Sequence, residues 1–105
     1  MVLQLMLFKL RPEVDDGQVD ELMRRARSQL LRIPQVLTVR SGKKIEPGAK
    51  WPFFVAVEFE SRDKQAIGLD DPMWLKFTLE TLQPVVSEEL IVNYELEPGR
   101  NVKYS

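Results

Sequence analysis

Apolar residues mark out one strand and one helix in the first third of the chain. Val2–Leu10 is almost continuously apolar, interrupted only by Gln4 before its last two residues. This pattern predicts a strand that is covered on both faces. Within Val19–Ile33 the apolar residues recur at intervals of three, four and seven, which predicts a helix of about 15 residues with one buried face. Asp15 suits the start of this helix, and Pro34 should end it.

The rest of the chain continues with strand and helical patterns. Alternating apolar residues predict two further strands, joined by a turn that contains Pro47 and Gly48. Two helical stretches follow, and a final apolar strand comes last. The predicted elements are the strands Val36–Ile45, Trp51–Glu60 and Leu90–Leu96, a short helix from Ser61 to Leu69 and a longer helix from Asp70 to Pro84.

The order of these elements is βαββαβ, with the second helical region broken in two. This order predicts an α+β fold of the ferredoxin-like type, a split βαβ sandwich with four antiparallel strands and helices on one face. We expect residues 1–96 to form the domain. Residues 97–105, which include Pro98 and Gly99, are expected to form an irregular C-terminal tail.

The face of the sheet that the helices leave uncovered is predicted to be apolar. In a strand with one solvated face, every second residue should be polar. A contiguous apolar patch is rarely left exposed. We therefore expect a homodimer in which two sheets pack together into an α/β barrel. The residues assigned to this interface are Leu3, Leu5, Leu7, Val39, Phe54, Ala56 and Ile91.

Composition narrows the chemistry that the chain can perform. The 105 residues include no histidine and no cysteine. The commonest general base, the commonest metal ligand and every thiolate nucleophile are therefore missing, and we expect neither a metal site nor a cofactor. With 15 basic and 16 acidic residues the formal charge is −1, which argues against general binding to nucleic acid.

The sequence carries no pattern of a targeting or membrane segment. Met1–Phe8 is apolar, but charged residues follow at once, and no apolar stretch approaches the roughly 20 residues of a membrane span. We expect a soluble, cytoplasmic protein that does not bind membranes.

Five segments, in order, resemble the stress-responsive A/B barrel domain family (Dabb) of the dimeric α/β barrel superfamily. The resemblance extends over about residues 2–96 and rests on the order and spacing of the segments together. The segments are Val2–Leu10, Ile33–Val36 with Gly42, Val55–Ser61 with Ala66, Asp71–Trp74 and Leu90–Glu95.

The resemblance implies that the protein is a dimer. Most members of the family have no assigned activity. One plant branch of the family resembles a polyketide cyclase that uses histidines, a tyrosine and an aspartate between sheet and helices. The positions of those groups match Gln4, Phe53, Trp74, Gly68 and Asn93 in this chain. Every acid–base group is replaced, so the resemblance does not carry cyclase chemistry onto this sequence.

A candidate pocket is expected between the sheet and the helices. One interpretation is a small site for an apolar or aromatic ligand, with Gln4 and Tyr94 as its polar groups. The other is a filled core, in which Gln4 bonds to the backbone or to Tyr94. The residues assigned to the pocket are Gln4, Met6, Phe53, Trp74, Phe77, Asn93 and Tyr94.

The charged clusters favour structural roles. Asp70 and Asp71 are expected to cap the helix that begins at Pro72, and Glu58 and Glu60 to form ion pairs with Lys9 or Arg40 across strands. The first helix carries acidic residues as well as basic ones, and such a mixed charged face is typical of a solvated surface.

Three functional hypotheses follow from these patterns. The first is a dimeric, non-catalytic barrel of unassigned activity that binds a small apolar or aromatic ligand or acts as a structural or stress-linked factor. The second is a cofactor-independent enzyme of the polyketide cyclase or monooxygenase kind that uses the pocket between sheet and helices. The third is an interaction module that acts through the tail or the basic helix.

Overall fold

The computed structural model describes residues 1–97. One antiparallel sheet has the strand order β2-β3-β1-β4. This architecture confirms the predicted ferredoxin-like α+β fold. In chain order the elements are β1 (Val2–Leu10), α1 (Asp16–Leu30), β2 (Val36–Lys43), β3 (Phe53–Phe59), α2 (Arg62–Leu69), α3 (Pro72–Lys76), a π-helical segment (Phe77–Leu82) and β4 (Val86–Glu95).

Helix α1 begins with a capping box. The Asp15 carboxylate accepts a hydrogen bond from the Gln18 backbone amide, and the Gln18 side chain accepts one from the Asp15 amide, both at 2.8 Å. This reciprocal pair satisfies two amides that a helix start would leave free. The helix ends at Leu30, three residues before the predicted end, although Ile33 is still buried in the core.

The second helical region is not one long helix. Helix α3 starts at Pro72, where the Asp71 carboxylate accepts a hydrogen bond from the Met73 amide at 2.8 Å. After five residues it continues as the π-helical segment, in which the Gln83 amide donates to the Thr78 carbonyl. The wider turns bring Phe77 and two later residues of the segment into the interior.

Strand β4 starts at Val86, four residues before the predicted start. Its first residues, Ser87 to Glu89, are polar and did not predict a strand, but they are exposed at the edge of the sheet. Edge strands tolerate charge because one side of them faces water. The strand pairs with β1, with one register shift between Lys9 and Leu10, and ends where the Leu96 amide donates to the Met1 carbonyl.

The two faces of the sheet differ in what covers them. On β1 the buried residues alternate with half-buried ones, and the buried set, such as Met6 and Phe8, lies under the helices. We call this side the core face and the uncovered side the open face. The open face carries Leu3, Leu5, Leu7, Thr38, Arg40, Gly42, Phe54, Ala56, Glu58, Leu90, Val92 and Tyr94.

Three face assignments made from the sequence are wrong. Tyr94 pairs with Leu3, which puts it on the open face rather than in the pocket. Ile91 pairs with Met6, and Val39 pairs with the buried Val57, so Ile91 and Val39 lie on the core face rather than at the expected interface. In β2, the register shifts between Val36 and Thr38. The side chains after this shift therefore point to the face opposite to the one that regular alternation from Val36 predicts.

Among the described residues, no helix is both long enough and apolar enough to cross a membrane. The expected cytoplasmic location stays a prediction. The expected C-terminal tail, residues 97–105, lies outside the described residues except for its first residue. The division of the chain into domain and tail therefore also stays a prediction.

Candidate functional site

Three side-chain amides from three elements meet at the end of the core face. Gln65 of α2 donates one hydrogen bond to the Gln4 carbonyl oxygen (Nε2–Oε1, 2.8 Å) and another to Asn93 (Nε2–Oδ1, 2.9 Å). Gln4 and Gln65 are only 4% and 3% exposed, whereas Asn93 is open to solvent. Gln4 and Asn93 stand opposite each other in the β1–β4 register, so the sheet itself sets their spacing. We call these three residues the amide cluster.

Arg62 completes the hydrogen bonds of the Gln65 side chain. Its guanidinium donates to the Gln65 side-chain oxygen (Nη1–Oε1, 2.8 Å), so both hydrogens and the oxygen of the Gln65 amide have partners. Arg62 is the first residue of α2, whose start is capped by Ser61. Amide groups do not titrate near neutral pH, so the cluster can orient a ligand but cannot take up or release a proton.

An open cleft of about 670 Å³ lies beside the amide cluster. This volume falls within the usual range of small-molecule sites. The cleft mixes apolar side chains with charged ones of both signs. Its lining residues are Met1, Val2, Glu60, Ser61, Arg62, Asn93, Tyr94 and Glu95.

The candidate pocket residues do not all meet. Gln4 and Asn93 lie together, as the pocket required. Phe53 pairs with Phe8 and stacks on it (centroids 5.8 Å apart), whereas Gln4 pairs with Val57, four residues further along β3. Four residues of a strand span roughly 13 Å. Phe53 therefore belongs to the opposite end of the core from Gln4.

The remaining pocket positions are packed by neighbouring side chains. Met6 and Phe77 are buried members of the hydrophobic core, at 3% and 1% exposure. The half-buried Trp74 lies against the Phe59 ring, with centroids 6.4 Å apart. At Gly68, a β-carbon would stand 2.8 Å from the same Phe59 ring. The Phe59 ring thus fills the space beside Gly68, the position that matches the tyrosine of the plant branch.

Sequence reasoning missed Gln65 and Arg62. Gln65 lies in a helix of eight residues with little apolar periodicity, so nothing in its local pattern marks it as buried. Only the topology, which brings α2 over the ends of β1 and β4, shows that its amide reaches Gln4 and Asn93.

Ion pairs lie at the surface, away from the amide cluster. Lys43 donates a hydrogen bond to Asp20 (Nζ–Oδ1, 2.8 Å), which lowers the pKa of that carboxyl and raises the pKa of Lys43. Lys9 lowers the pKa of Glu88 in the same way (Nζ–Oε2, 2.7 Å). The expected pairing of Lys9 with Glu58 or Glu60 is therefore wrong, because Lys9 bonds to Glu88. Among residues 1–97, no ion pair joins Arg40 to either glutamate.

Acidic side chains elsewhere also have structural partners. Hydrogen bonds from Arg24 and Arg25 lower the pKa of Glu21. Asp71 caps α3, as predicted, and Asp70 is the C-terminal cap of α2. Across residues 1–97, no three acidic side chains are grouped closely enough to hold a metal ion.

Solved structures with this fold come from several organisms. A Dabb family protein with a ferredoxin-like fold from Mesorhizobium loti is 19% identical, with a TM-score of 0.78 over 91% of this chain and 96% of its own. A dimeric ferredoxin-like protein of unknown function from Thermobifida fusca is 19% identical (TM-score 0.77, 90% of each chain). The hydroxynitrile lyase from Passiflora edulis is 14% identical (TM-score 0.79, 94% and 95%). At these identities the likeness shows the fold alone.

The sequence itself carries the family signal. No curated protein matches the chain. The model of the stress responsive A/B barrel domain matches residues 2–96, which is nearly the whole chain. The protein is therefore a member of the stress responsive A/B barrel domain (Dabb) family.

Proposed function

We propose that the protein is a non-catalytic homodimer whose two open sheet faces pack against each other, with a small-molecule site in the cleft beside the amide cluster. The apolar character of the open face is the main observation that supports a dimer. The chemistry of the amide cluster supports the absence of catalysis and the location of the ligand site.

The centre of the open face consists of apolar side chains on three neighbouring strands. Leu5, Ala56 and Val92 form one row across β1, β3 and β4, and Leu7, Phe54 and Leu90 form the next. Water disfavours an apolar surface of this extent, and a second copy of the same face would cover it. The dimeric protein from Thermobifida fusca has the same fold, which supports this assembly.

Among residues 1–97, the interior offers no acid–base pair for catalysis. Gln4, Phe53, Trp74, Gly68 and Asn93 stand where one branch of the family has its reacting groups, and none of these side chains titrates near neutral pH. General acid–base catalysis needs a group that changes protonation state during the reaction. The amide cluster instead suits the recognition of a ligand by hydrogen bonds.

The cleft fits a small ligand with an apolar part and a polar part. Met1 and Val2 provide apolar surface, while Asn93 and Arg62 provide donors whose orientation Gln65 holds. We therefore propose that the ligand binds in this open cleft at the end of the sheet and not in the packed core.

The dimer is tested by one substitution on each side of the molecule. Leu5→Asp places a carboxylate at the centre of the open face and should give a folded monomer in sedimentation velocity. Leu79→Asp is the control, because Leu79 is 49% exposed on the π-helical segment, away from the open face. A Leu5→Asp protein that sediments as the wild type does would exclude this face as the interface.

The ligand site is tested by chemical shift perturbation with phenol and benzamide as probes. Binding should perturb the amide signals of Arg62 and Asn93, and Asn93→Ala should weaken it. Lys64→Ala, two residues from Arg62 on the exposed side of α2, should have no effect. Perturbations centred on Met6 and Phe77 instead would place the site in the core and contradict the proposal.

A cofactor-independent enzyme is the second candidate, because the fold is shared with the hydroxynitrile lyase from Passiflora edulis. Our proposal expects no release of cyanide from mandelonitrile beyond the buffer rate. Turnover that Asn93→Ala abolishes would favour the enzyme and contradict a non-catalytic role.

A further inference from the structure

Three charged side chains line the cleft beside the amide cluster without pairing with one another. Arg62 brings a positive charge to the cleft, and Glu60 and Glu95 bring negative charges. Among residues 1–97, none of the ion pairs includes any of the three. The cleft therefore presents charges of both signs to a ligand.

The amide cluster holds Arg62 in place at the cleft. The Arg62 guanidinium donates to the Gln65 side-chain oxygen at 2.8 Å, and Gln65 is only 3% exposed. Gln65 is fixed in turn by its hydrogen bonds to Gln4 and Asn93. This single bond leaves most of the guanidinium donors for a ligand. A guanidinium binds a carboxylate through two parallel hydrogen bonds, and a side chain that is already ordered loses less freedom on binding.

The position of Arg62 is unfavourable for the helix that carries it. Arg62 is the first residue of α2, directly after the cap residue Ser61. The start of a helix is the positive end of its dipole, which repels a cation and attracts an anion. A carboxylate bound to Arg62 would offset this repulsion. The placement of Arg62 is thus better explained by an anionic group of a ligand than by the stability of α2.

Strand β4 places an acidic group close to this anion position. Asn93 and Glu95 alternate with Tyr94 on β4 and therefore point to the same face of the sheet. Two residues of a strand span roughly 7 Å. Gln65 connects Asn93 to Arg62 through two hydrogen bonds. The Glu95 carboxylate and the Arg62 guanidinium therefore lie within the span of one small ligand.

We infer that the ligand of this cleft is a zwitterion of the amino-acid type, with its carboxylate on Arg62 and its ammonium toward Glu60 and Glu95. This inference rests on the proposed ligand site and adds the chemical class of its ligand. An anionic ligand would be repelled by the two glutamates, and a cationic ligand would be repelled by Arg62. A ligand with both charges satisfies all three side chains.

The apolar surface of the cleft favours a zwitterion with a large apolar side chain. Met1 and Tyr94 line the cleft together with the charged residues. They are 48% and 49% exposed, so a ligand can cover much of their surface. An aromatic side chain would be stabilised by contact with the Tyr94 ring and by burial against Met1. The volume of about 670 Å³ has room for such an amino acid.

Three probes with the same phenyl group test the charge requirement. Phenylalanine has both charges, 3-phenylpropionate lacks the ammonium, and 2-phenylethylamine lacks the carboxylate. In chemical shift titrations, phenylalanine should have a dissociation constant about tenfold or more below that of either other probe, as expected for loss of a hydrogen-bonded contact to a charged group. The shifts should centre on Arg62 and Asn93.

Substitutions at the two ends of the cleft separate the two contacts. Glu60→Gln/Glu95→Gln should weaken phenylalanine binding about tenfold and not weaken 3-phenylpropionate binding, because only the ammonium contact is lost. Arg62→Lys keeps the charge but removes the paired hydrogen bonds, so it should weaken both carboxylate probes and leave 2-phenylethylamine unaffected.

The control for the glutamates is Glu80→Gln/Glu89→Gln. It changes the net charge by the same amount at two exposed positions that do not line the cleft. Binding of all three probes should stay as in the wild type. If the control weakens phenylalanine binding as much as Glu60→Gln/Glu95→Gln does, the effect is one of net charge and the assigned ammonium contact is overturned.

The outcomes distinguish this inference from the site on which it rests. A single-charge probe that binds as tightly as phenylalanine would overturn the zwitterion. The proposed ligand site would still stand if phenol and benzamide perturb Arg62 and Asn93. If none of these compounds perturbs the cleft, both the ligand site and the zwitterion are wrong.

Discussion

The two faces of the same sheet have similar side chains but different surroundings. On the core face, Phe8, Phe53, Val55 and Phe59 are at most 1% exposed under the helices. On the open face, Leu5 and Phe54 are only half-buried, although they alternate with core residues along the same strands. The core face is thus covered within one chain, whereas the open face is the surface that we propose a second copy covers.

This difference separates two kinds of stability. Interactions on the core face should determine whether the chain folds. Interactions on the open face should determine whether folded chains associate, so their effects should depend on protein concentration. Paired substitutions, one on each face, therefore test the account more sharply than single ones.

Phe53 and Phe54 are neighbours on β3 that point to opposite faces. Phe53→Ala should lower the free energy of unfolding by about 3–5 kcal/mol, because it leaves a cavity in a packed core. Phe54→Ala should mainly raise the dissociation constant of the dimer. Denaturant unfolding and sedimentation at several protein concentrations measure both effects, and equal effects of the two variants would contradict the distinction between the faces.

Two glycines, one on each face of the sheet, offer a second pair of substitutions. Gly68 contacts the buried Phe59 ring, and Gly42 contacts the half-buried Phe54 ring on the open face. Gly68→Ala should destabilise the chain by about 2–3 kcal/mol, since Phe59 is enclosed and cannot move away. Gly42→Ala should change thermal stability less and dimerisation more, because Phe54 can turn outward in the monomer. A reversed order in the two measurements would argue against the face assignment.

The amide cluster joins the core face to the cleft. Gln65→Ala removes both hydrogen bonds that Gln4 and Asn93 accept, and it leaves a buried amide oxygen on Gln4 without its partner. We expect a loss of about 1–2 kcal/mol in unfolding free energy. Lys64→Ala, on the exposed side of the same helix, is the control. A Gln65→Ala protein as stable as the control would show that the cluster contributes nothing to folding.

The ion pair between Asp20 and Lys43 should have the smallest effect, because both groups are solvent-exposed. Lys43 lowers the pKa of Asp20, so the pair stabilises the fold above the ordinary pKa of the carboxyl, 3.8, and this contribution disappears as the pH falls through the lowered value. Asp20→Asn should lower the melting temperature slightly at neutral pH and not at strongly acidic pH. A larger difference at acidic pH would contradict this sign.

The element types and the fold could be predicted because most of the chain has a clear period. The apolar residues of β1 and β3 and the helical spacing in α1 each allow one interpretation. The end of β4 does not, because Leu90, Ile91 and Val92 are all apolar, and the sequence therefore does not show which of them face the helices. That ambiguity placed Tyr94 and Ile91 on the wrong faces, and the register shift in β2 did the same for Val39.

The candidate site was harder to predict than the fold. Gln4 stood out as a polar residue in an apolar strand, and Asn93 was found through the family resemblance. Gln65 gave no signal, because its burial comes from the position of α2 over two strands that are distant in sequence. The π-helical segment was also missed, since hydrogen bonds of this spacing have no distinct residue pattern.

Sedimentation equilibrium of the unmodified protein tests the central claim most directly. The account predicts a particle of twice the chain mass of 12.2 kDa at micromolar concentration. Leu5→Asp should reduce that particle to a single chain. A wild-type protein that remains at 12.2 kDa at every concentration would contradict the claim that the open face is completed by a second copy.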